Sequence, residues 1–303
     1  MGITNWTEGA TNEVTINGIL NEVNLQPSTD KNGHPVIYGD YVIKTTNHIG
    51  DKDFVAEVPI RVYQSQVTSK GTPNPAYQVA QDIMTKYTSV AAGGEENADY
   101  LSIKTSGKLS ENTFVSKTTG QLISTPVIRA SFANKTSKDE ATKNSGARFK
   151  TIVVIGKMTD ELTRDGEETG RLLLKGIVPV WGGKVELIDY VVENPNVINH
   201  IRNNWQEGDT VLIGGYVNFI SKTQEIAEPS GFGEPIITRK TISVKELVIT
   251  GGHDAPLTDD EGAYDNEAIG TALNERKARM DEKVKAAAQA ASTPKVASNG
   301  FGF

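Results

Sequence analysis

The chain contains, at residues 206–219, the stretch QEGDTVLIGGYVNF. A polar segment with one glycine leads into an apolar run that two adjacent glycines interrupt. Successive side chains of a strand point to opposite faces, so one face carries Val211, Ile213, Gly215, Val217 and Phe219. We therefore predict a strand whose apolar face lines a barrel interior, with Phe219 in the core and Tyr216 on the outside.

The residues around this stretch predict four further strands and one helix. Residues 149–157, 171–180, 184–191 and 238–249 are rich in Val, Ile and Leu, which favours strands. The segment 194–205 begins with Asn-Pro, a natural N-cap followed by the first helical position, and we predict a helix there.

The first part of the chain repeats this order. Strands are predicted at 14–20, 36–45, 54–63, 100–108 and 121–133, and a helix that also begins with Asn-Pro at 74–87. Three strands, a helix and two strands, occurring twice, indicate an internal duplication. This is the order of the OB-fold, a five-stranded Greek-key barrel. The predicted fold class is all-β, with two OB-fold-like five-stranded barrels, each with one helix between strands 3 and 4, and a C-terminal tail.

Changes in composition predict the domain boundaries. Residues 1–133 form the first domain, the polar segment 134–146 a linker, and 147–252 the second domain. Residues 253–303 form an acidic, partly helical tail that ends in a Phe-containing tip. We expect its acidic part to be flexible and its helix, at 268–291, to have a thin apolar stripe.

Composition and charge exclude several classes of function. Lys and Arg number 31 against 38 Asp and Glu, a net charge of −7, so the chain cannot coat duplex DNA by overall charge. Without cysteine there is no thiolate nucleophile and no cysteine metal site. Neither the spacing of a phosphate-binding loop nor a Gly-x-Ser-x-Gly elbow occurs. We expect no enzyme activity, no cofactor and no metal.

The N-terminal residues and the hydropathy predict the location of the protein. The first twenty residues are polar, where a signal peptide needs a basic start and an apolar run. No stretch has the roughly eighteen uninterrupted apolar residues of a membrane span. We expect a cytoplasmic protein that does not contact membrane.

The second half resembles the bacterial and phage single-stranded DNA-binding proteins. The resemblance rests on residues 184–188, the Asn-Pro helix, the stretch 206–219 and a final strand at 239–249 followed by Gly251 and Gly252. It covers about 147–252 and implies an OB-fold that binds single-stranded DNA in replication, recombination or repair, in a phage and so in the host cytoplasm. The family's acidic tail with a Phe tip implies that Phe301 and Phe303 dock replication or recombination proteins.

Binding of single strands independent of sequence requires aromatic rings for base stacking and cations along the backbone path. Trp181, beside two glycines at a predicted hairpin tip, and Tyr216 are the stacking candidates in the second half. Tyr41 and Tyr63 are those in the first half, where they mix with cations such as Arg61. The cation candidates are Arg148, Lys150, Arg171, Lys175, Lys184, Lys222, Arg239 and Lys240.

Two other functions compete with this hypothesis. Neither half has a net positive charge, which favours a structural or protein-interaction module, such as a virion component or a regulator. An RNA-binding module is the third reading, because OB barrels bind either nucleic acid. The sequence also leaves open whether the chain forms a homo-oligomer.

Overall fold

The computed structural model of the chain describes residues 2–228 and 236–292, with side chains described over 2–220 and 243–289. The first half consists of β1 (Asn12–Thr29), β2 (Pro35–Ile49), β3 (Lys52–Ser65), α1 (Pro75–Thr85), α2 (Val90–Gly93), β4 (Tyr100–Val115) and β5 (Leu122–Ala130). Helix α1 begins where the sequence predicts, because the Asn74 side chain accepts a hydrogen bond from the Ala76 backbone.

The strands of the first half pair in a cycle. β1 pairs antiparallel with β2, and β2 with β3. β3 then pairs parallel with β5 at Ile60 and Ile128, β5 pairs antiparallel with β4, and β4 returns to β1. The side chains that face into this cycle, among them Ile16, Ile43 and Leu101, are fully buried.

The segment 134–146, which the sequence predicts to be a linker, contains regular secondary structure. It forms β6 (Asn134–Thr136), which pairs with β4, and α3 (Lys138–Lys143). The Ser137 hydroxyl caps α3 by accepting a hydrogen bond from the Glu140 backbone, and Ala141 is buried. A hydroxyl cap and one small apolar side chain are enough to fix so short a helix.

The second half repeats the order of the first. It consists of β7 (Gly146–Leu162), β8 (Glu168–Val180), β9 (Lys184–Val192), α4 (Pro195–Asn204), β10 (Thr210–Glu228) and β11 (Ile236–Gly252). β7 pairs with β8, β8 with β9, β9 parallel with β11, β11 with β10, and β10 with β7. The chain is thus mostly β, and the predicted order of three strands, a helix and two strands is present in both halves, with the short α2 added after α1 in the first half.

The two halves are joined along β1 and β7. These strands pair antiparallel from Asn12 opposite Thr151 to Asn17 opposite Gly146. Asn47 is fully buried beside this seam, where its side chain donates to the Val217 carbonyl at 2.9 Å and accepts from the Ala147 backbone at 2.8 Å. One cluster of buried apolar side chains extends through both halves. The division into separate domains at 1–133 and 147–252 stays a prediction.

The tail is packed against both halves, so the expectation that its acidic part is flexible is wrong. A short 3-10 turn at Asp259–Glu261 leads to α5 (Asn266–Ser292). Tyr264 forms a bridge with Ile3, and Tyr264 and Ile269 are buried. The apolar side chains of this mainly polar tail pack against apolar side chains of the neighbouring sheet, and this packing holds the tail in place. None of the described helices is long and apolar enough to cross a membrane.

Candidate nucleic-acid interface

Three cations lie in one row across the outer face of the first half. Lys108 on β4 is opposite Arg129 on β5, Arg129 is opposite Arg61 on β3, and Arg61 is opposite Asp40 on β2. Adjacent strands are about 4.8 Å apart, so the three positive side chains arise within about 10 Å of one another. All three are exposed. We call Lys108, Arg129 and Arg61 the cation row.

The contacts of the cation row are weak. The Arg61 guanidinium lies 2.7 Å from an Asp40 carboxylate oxygen, in a pair that is open to solvent on both sides. Exposed pairs of this kind contribute about 0–1 kcal/mol. Arg129 donates a 3.3 Å hydrogen bond from Nε to the Ser110 hydroxyl, and Lys108 makes no ion pair with any described residue. A phosphate can therefore replace these contacts at small cost.

Exposed aromatic rings lie beside the cation row. Tyr63 follows Arg61 by two positions on β3, on the same face, and is opposite Tyr38 on β2. The two rings are 59% and 42% exposed. Tyr38 is positioned by a 3.2 Å hydrogen bond between its hydroxyl and the Gln26 side chain. Large rings on an open sheet face gain little from packing, so their faces are available for stacking.

Trp181 approaches the same groove from the second half. It occupies the turn between β8 and β9, where Gly182 and Gly183 adopt φ values of 77° and 70° that favour glycine. This turn holds the indole in solvent, 74% exposed. Trp181, Tyr63 and the whole cation row line one groove of about 690 Å³ between the two halves.

One wall of the groove carries a carboxyl group with a shifted pKa. Glu186 on β9 accepts hydrogen bonds from the Ser110 hydroxyl at 3.1 Å and from the Glu111 backbone at 3.0 Å. Burial raises the pKa of Glu186, and the nearby Glu111 charge raises it further, whereas Arg129 acts in the opposite direction. Because its pKa is raised, Glu186 keeps its proton to a higher pH than a free glutamate does, which reduces the negative charge of this wall.

The structure corrects two of the predicted stacking residues. Tyr41 is 1% exposed, because it shares the inner face of β2 with Ile37 and Ile43. Tyr216 is 6% exposed, because Phe54 of the first half packs on its ring with centroids 5.0 Å apart. Burial raises the pKa of Tyr216 to about 12. Neither ring is accessible to a base.

The structure agrees with strand alternation for Phe219, which is predicted in the core, and with the adjacent glycines for Trp181, which is predicted at a hairpin tip. Phe219 is buried, with 2% of its surface exposed, and Trp181 stands at the hairpin tip. Tyr63, expected on the outside of its strand, is exposed there. Of the predicted stacking set, the structure brings Trp181 and Tyr63 together. The role of these residues in binding stays a prediction.

The predicted cations of the second half do not form a row. Arg171 lies among three carboxylates, with Nη2 at 2.6 Å from Glu246 and Nε at 3.3 Å from Glu161 and 3.8 Å from Glu193. Lys175 is paired with Asp189 at 2.5 Å. The charge of Arg171 is thus balanced by glutamates of its own half, whereas the pair of Lys175 with Asp189 is exposed to solvent.

The remaining predicted cations are dispersed or lie outside the described side chains. Arg148 donates to the His48 carbonyl at 3.4 Å, and Lys150 and Lys184 are exposed on β7 and β9. The predicted binding residues Lys222, Arg239 and Lys240 and the predicted docking residues Phe301 and Phe303 lie outside the side chains that the structure describes.

Sequence reasoning missed Lys108 and Arg129. Both alternate with buried residues in their strands, which marks them as exposed, but alternation alone does not show that they are neighbours. They are 21 positions apart and meet through the register of the hairpin formed by β4 and β5. The parallel pairing of β3 with β5 then adds Arg61.

Comparisons with known proteins place this geometry in context. No curated protein matches the chain. Among solved structures, a deletion variant of the single-stranded DNA binding protein from Thermus aquaticus is similar, with 11% identity and a TM-score of 0.50 over 84% of this chain and 98% of that chain. The wild-type protein gives 10% identity and a TM-score of 0.48 over 83% and 95%. The TM-score of 0.50 shows a similar fold, and an identity of 11% carries no information about the ligand.

A family model extends over most of the sequence. The model, described as YorF, matches residues 10–286, from the start of β1 to the last turns of α5. The match includes both halves and most of the helix packed against them. The chain belongs to the YorF family.

Proposed function

We propose that the chain binds single-stranded DNA, largely independent of sequence and without catalysis. The observation that carries this proposal is the cation row beside the exposed rings of Tyr63 and Trp181 in one groove. Stacking of bases on aromatic rings contributes about 1–3 kcal/mol per base, and cations along the path neutralise phosphates. Both elements are needed, and both occur here on one surface.

The strand pairing supports the same proposal. Each half is interpreted as an OB-type barrel, since its pairings return to the first strand and its third and fifth strands pair parallel. OB-folds bind oligonucleotides on the face of strands 2 and 3. Arg61, Tyr63 and Tyr38 lie on those strands of the first half.

The charge distribution favours a single strand over duplex. The chain has a net charge of −7, so attraction depends on the local field of the cation row. The ring faces of Tyr63 and Trp181 can stack only on bases that are not already stacked in a helix. The proposed cellular context is DNA replication, recombination or repair, in a phage, as the family resemblance of the sequence implies.

The direct test is fluorescence anisotropy of a labelled oligo-dT of about 30 nucleotides, at low and moderate salt, with duplex of equal length as competitor. We expect tight binding that duplex does not displace. Trp181→Ala and Tyr63→Ala should each weaken it about 5- to 150-fold, the equivalent of one stacked base. Trp181→Phe keeps a ring and should retain most of the affinity.

The matched control is Leu162→Ala, which removes an exposed apolar side chain at the end of β7; Leu162 is opposite Glu168 at the start of β8, whereas Trp181 follows the last residue of that strand. It should bind as the parent does. Absence of binding to oligo-dT at low salt would refute the proposal, and so would full affinity in both alanine variants of the groove.

The acidic net charge favours a second candidate, a protein-interaction module. The response to salt separates the two. Binding to a single strand weakens steeply with salt through counterion release, whereas binding to a protein partner depends on it less.

A further inference from the structure

The outer face of the second half is covered by the chain's own ends. This face is formed by β7, β8 and β9, which are equivalent in strand order to β1, β2 and β3 of the first half. On this face Ile177 of β8 is opposite Val154 of β7 and Leu187 of β9. Ile177 and Val154 are buried, although they point away from the interior of their own half.

The cover consists of the N-terminal segment and α5. Trp6 packs edge-on against Tyr264 with ring centroids 5.3 Å apart, and its indole N–H donates to the Val180 carbonyl at 3.0 Å. Ile269 and Ala272 of α5 complete the same apolar cluster. All four side chains are less than a tenth exposed, so the cover leaves no ring or groove open at this place.

Polar contacts fix the cover to both halves. Arg276 of α5 pairs with Glu111 of β4, and the two side chains are 12% and 4% exposed. Glu111 also accepts a hydrogen bond from the Leu187 backbone of β9 at 3.2 Å. Lys283 donates to the Thr113 hydroxyl at 3.1 Å. Release of α5 would separate Glu111 from its counter-ion Arg276, which opposes displacement by a ligand.

On the uncovered part of this face, β8 carries two cations that have carboxylate partners. Arg171 and Lys175 lie four positions apart on the outward face of β8, toward the end that α5 leaves open. Arg171 is paired with three glutamates and Lys175 with Asp189. The corresponding strands of the first half instead carry Arg61, Tyr63 and Tyr38 without a covering helix, next to Arg129 and Lys108 on β5 and β4.

We propose that each chain presents a single face to single-stranded DNA, that of the first half, while α5 permanently occupies the corresponding face of the second half. The second half then contributes Trp181 and no footprint of its own. This inference rests on the proposed function. It limits the footprint to that of one OB-fold, about 4–16 nucleotides, in a chain with two similar halves.

Hydrogen–deuterium exchange of the full chain with and without saturating oligo-dT tests this assignment. We expect new protection within 36–65 and 122–130, with no change within 172–178, 185–191 and α5. Protection of 172–178 and 185–191 together with faster exchange in α5 would overturn it, because DNA would then displace the helix.

Stoichiometry provides the second readout. Trp6 and Trp205 are buried, so fluorescence quenching on binding reports on Trp181. Titration with an oligo-dT of about 10 nucleotides should end at one oligonucleotide per chain, and Arg129→Ala should weaken binding while Lys175→Ala does not. Two oligonucleotides per chain, or equal losses in the two variants, would overturn the inference. A parent chain that binds no oligo-dT would instead refute the proposed function.

Discussion

The cation row yields a quantitative prediction about salt. Replacement of Lys108, Arg129 and Arg61 by alanine removes three positive charges that the strand register holds within about 10 Å. For single strands the slope of log K against log salt is about −0.7 per phosphate neutralised. The triple variant should therefore show a slope less steep by about 2. Between roughly 50 and 200 mM salt, the parent should lose about 20-fold more affinity than the variant does.

The fold should tolerate these changes. The three side chains are exposed, the Arg61 pair with Asp40 is open to solvent, and Arg129 loses one 3.3 Å hydrogen bond. Surface changes of this kind usually shift the free energy of unfolding by about 0.5 kcal/mol or less each. The assay is anisotropy of labelled oligo-dT at five or more salt concentrations, with thermal unfolding of each variant measured alongside.

The matched control removes the same total charge elsewhere in the chain. Lys86, at the end of α1, and Lys138 and Lys143, in α3, are exposed and outside the groove. Their triple alanine variant should keep the parent's slope. If both triple variants lose the same slope, the effect comes from net charge and the assignment of the cation row is wrong. An unchanged slope in the groove variant would refute it as well.

Three further changes test the groove wall, the seam and the cover. Glu186→Gln should tighten oligo-dT binding by up to about 1 kcal/mol. Because burial raises the pKa of Glu186, the folded state binds its proton more tightly than the unfolded state does. The parent's free energy of unfolding should therefore fall as pH rises from the ordinary pKa of 4.5 to the raised pKa of the folded state. This fall should be smaller in Glu186→Gln. Tyr216→Ala should lower the free energy of unfolding by roughly 3 kcal/mol in urea denaturation, since it empties the space against Phe54, while Tyr216→Phe should cost less than about 1 kcal/mol. Arg276→Ala should cost about 3–5 kcal/mol by leaving Glu111 buried and unpaired; a loss below about 1 kcal/mol would show that α5 is not held by this pair.

The sequence predicts those parts of the fold that depend on local signals. Asn74-Pro75 and Asn194-Pro195 begin α1 and α4 because the asparagine side chain accepts a backbone hydrogen bond at each start. Alternation also places Phe219 in the core. The same rule, applied to β2, assigns Tyr41 to the interior with Ile37 and Ile43, so its burial was predictable and was missed.

The remaining features of the site depend on contacts between distant segments. Tyr216 does point away from the interior of its own half, as alternation predicts, but Phe54 of the other half covers it. Local patterns determine which face a side chain belongs to, and they do not determine what lies against that face. The cation row has the same origin, because the parallel pairing of β3 with β5 is not encoded in either strand alone.

This dependence on distant contacts explains why net charge is a poor guide to the function of this chain. Glu161, Glu193 and Glu246 surround one arginine, and Glu111 pairs with Arg276. The first three acids lie within the second half and Glu111 attaches α5 to β4, so all four contribute to the total of −7 while their fields are balanced at short range. Among the described residues, the cation row makes one direct ion pair, that of Arg61 with Asp40, and Arg129 lies near Glu186. The acidic total therefore does not exclude a local cluster of exposed cations, such as the one on β3, β5 and β4 of the first half.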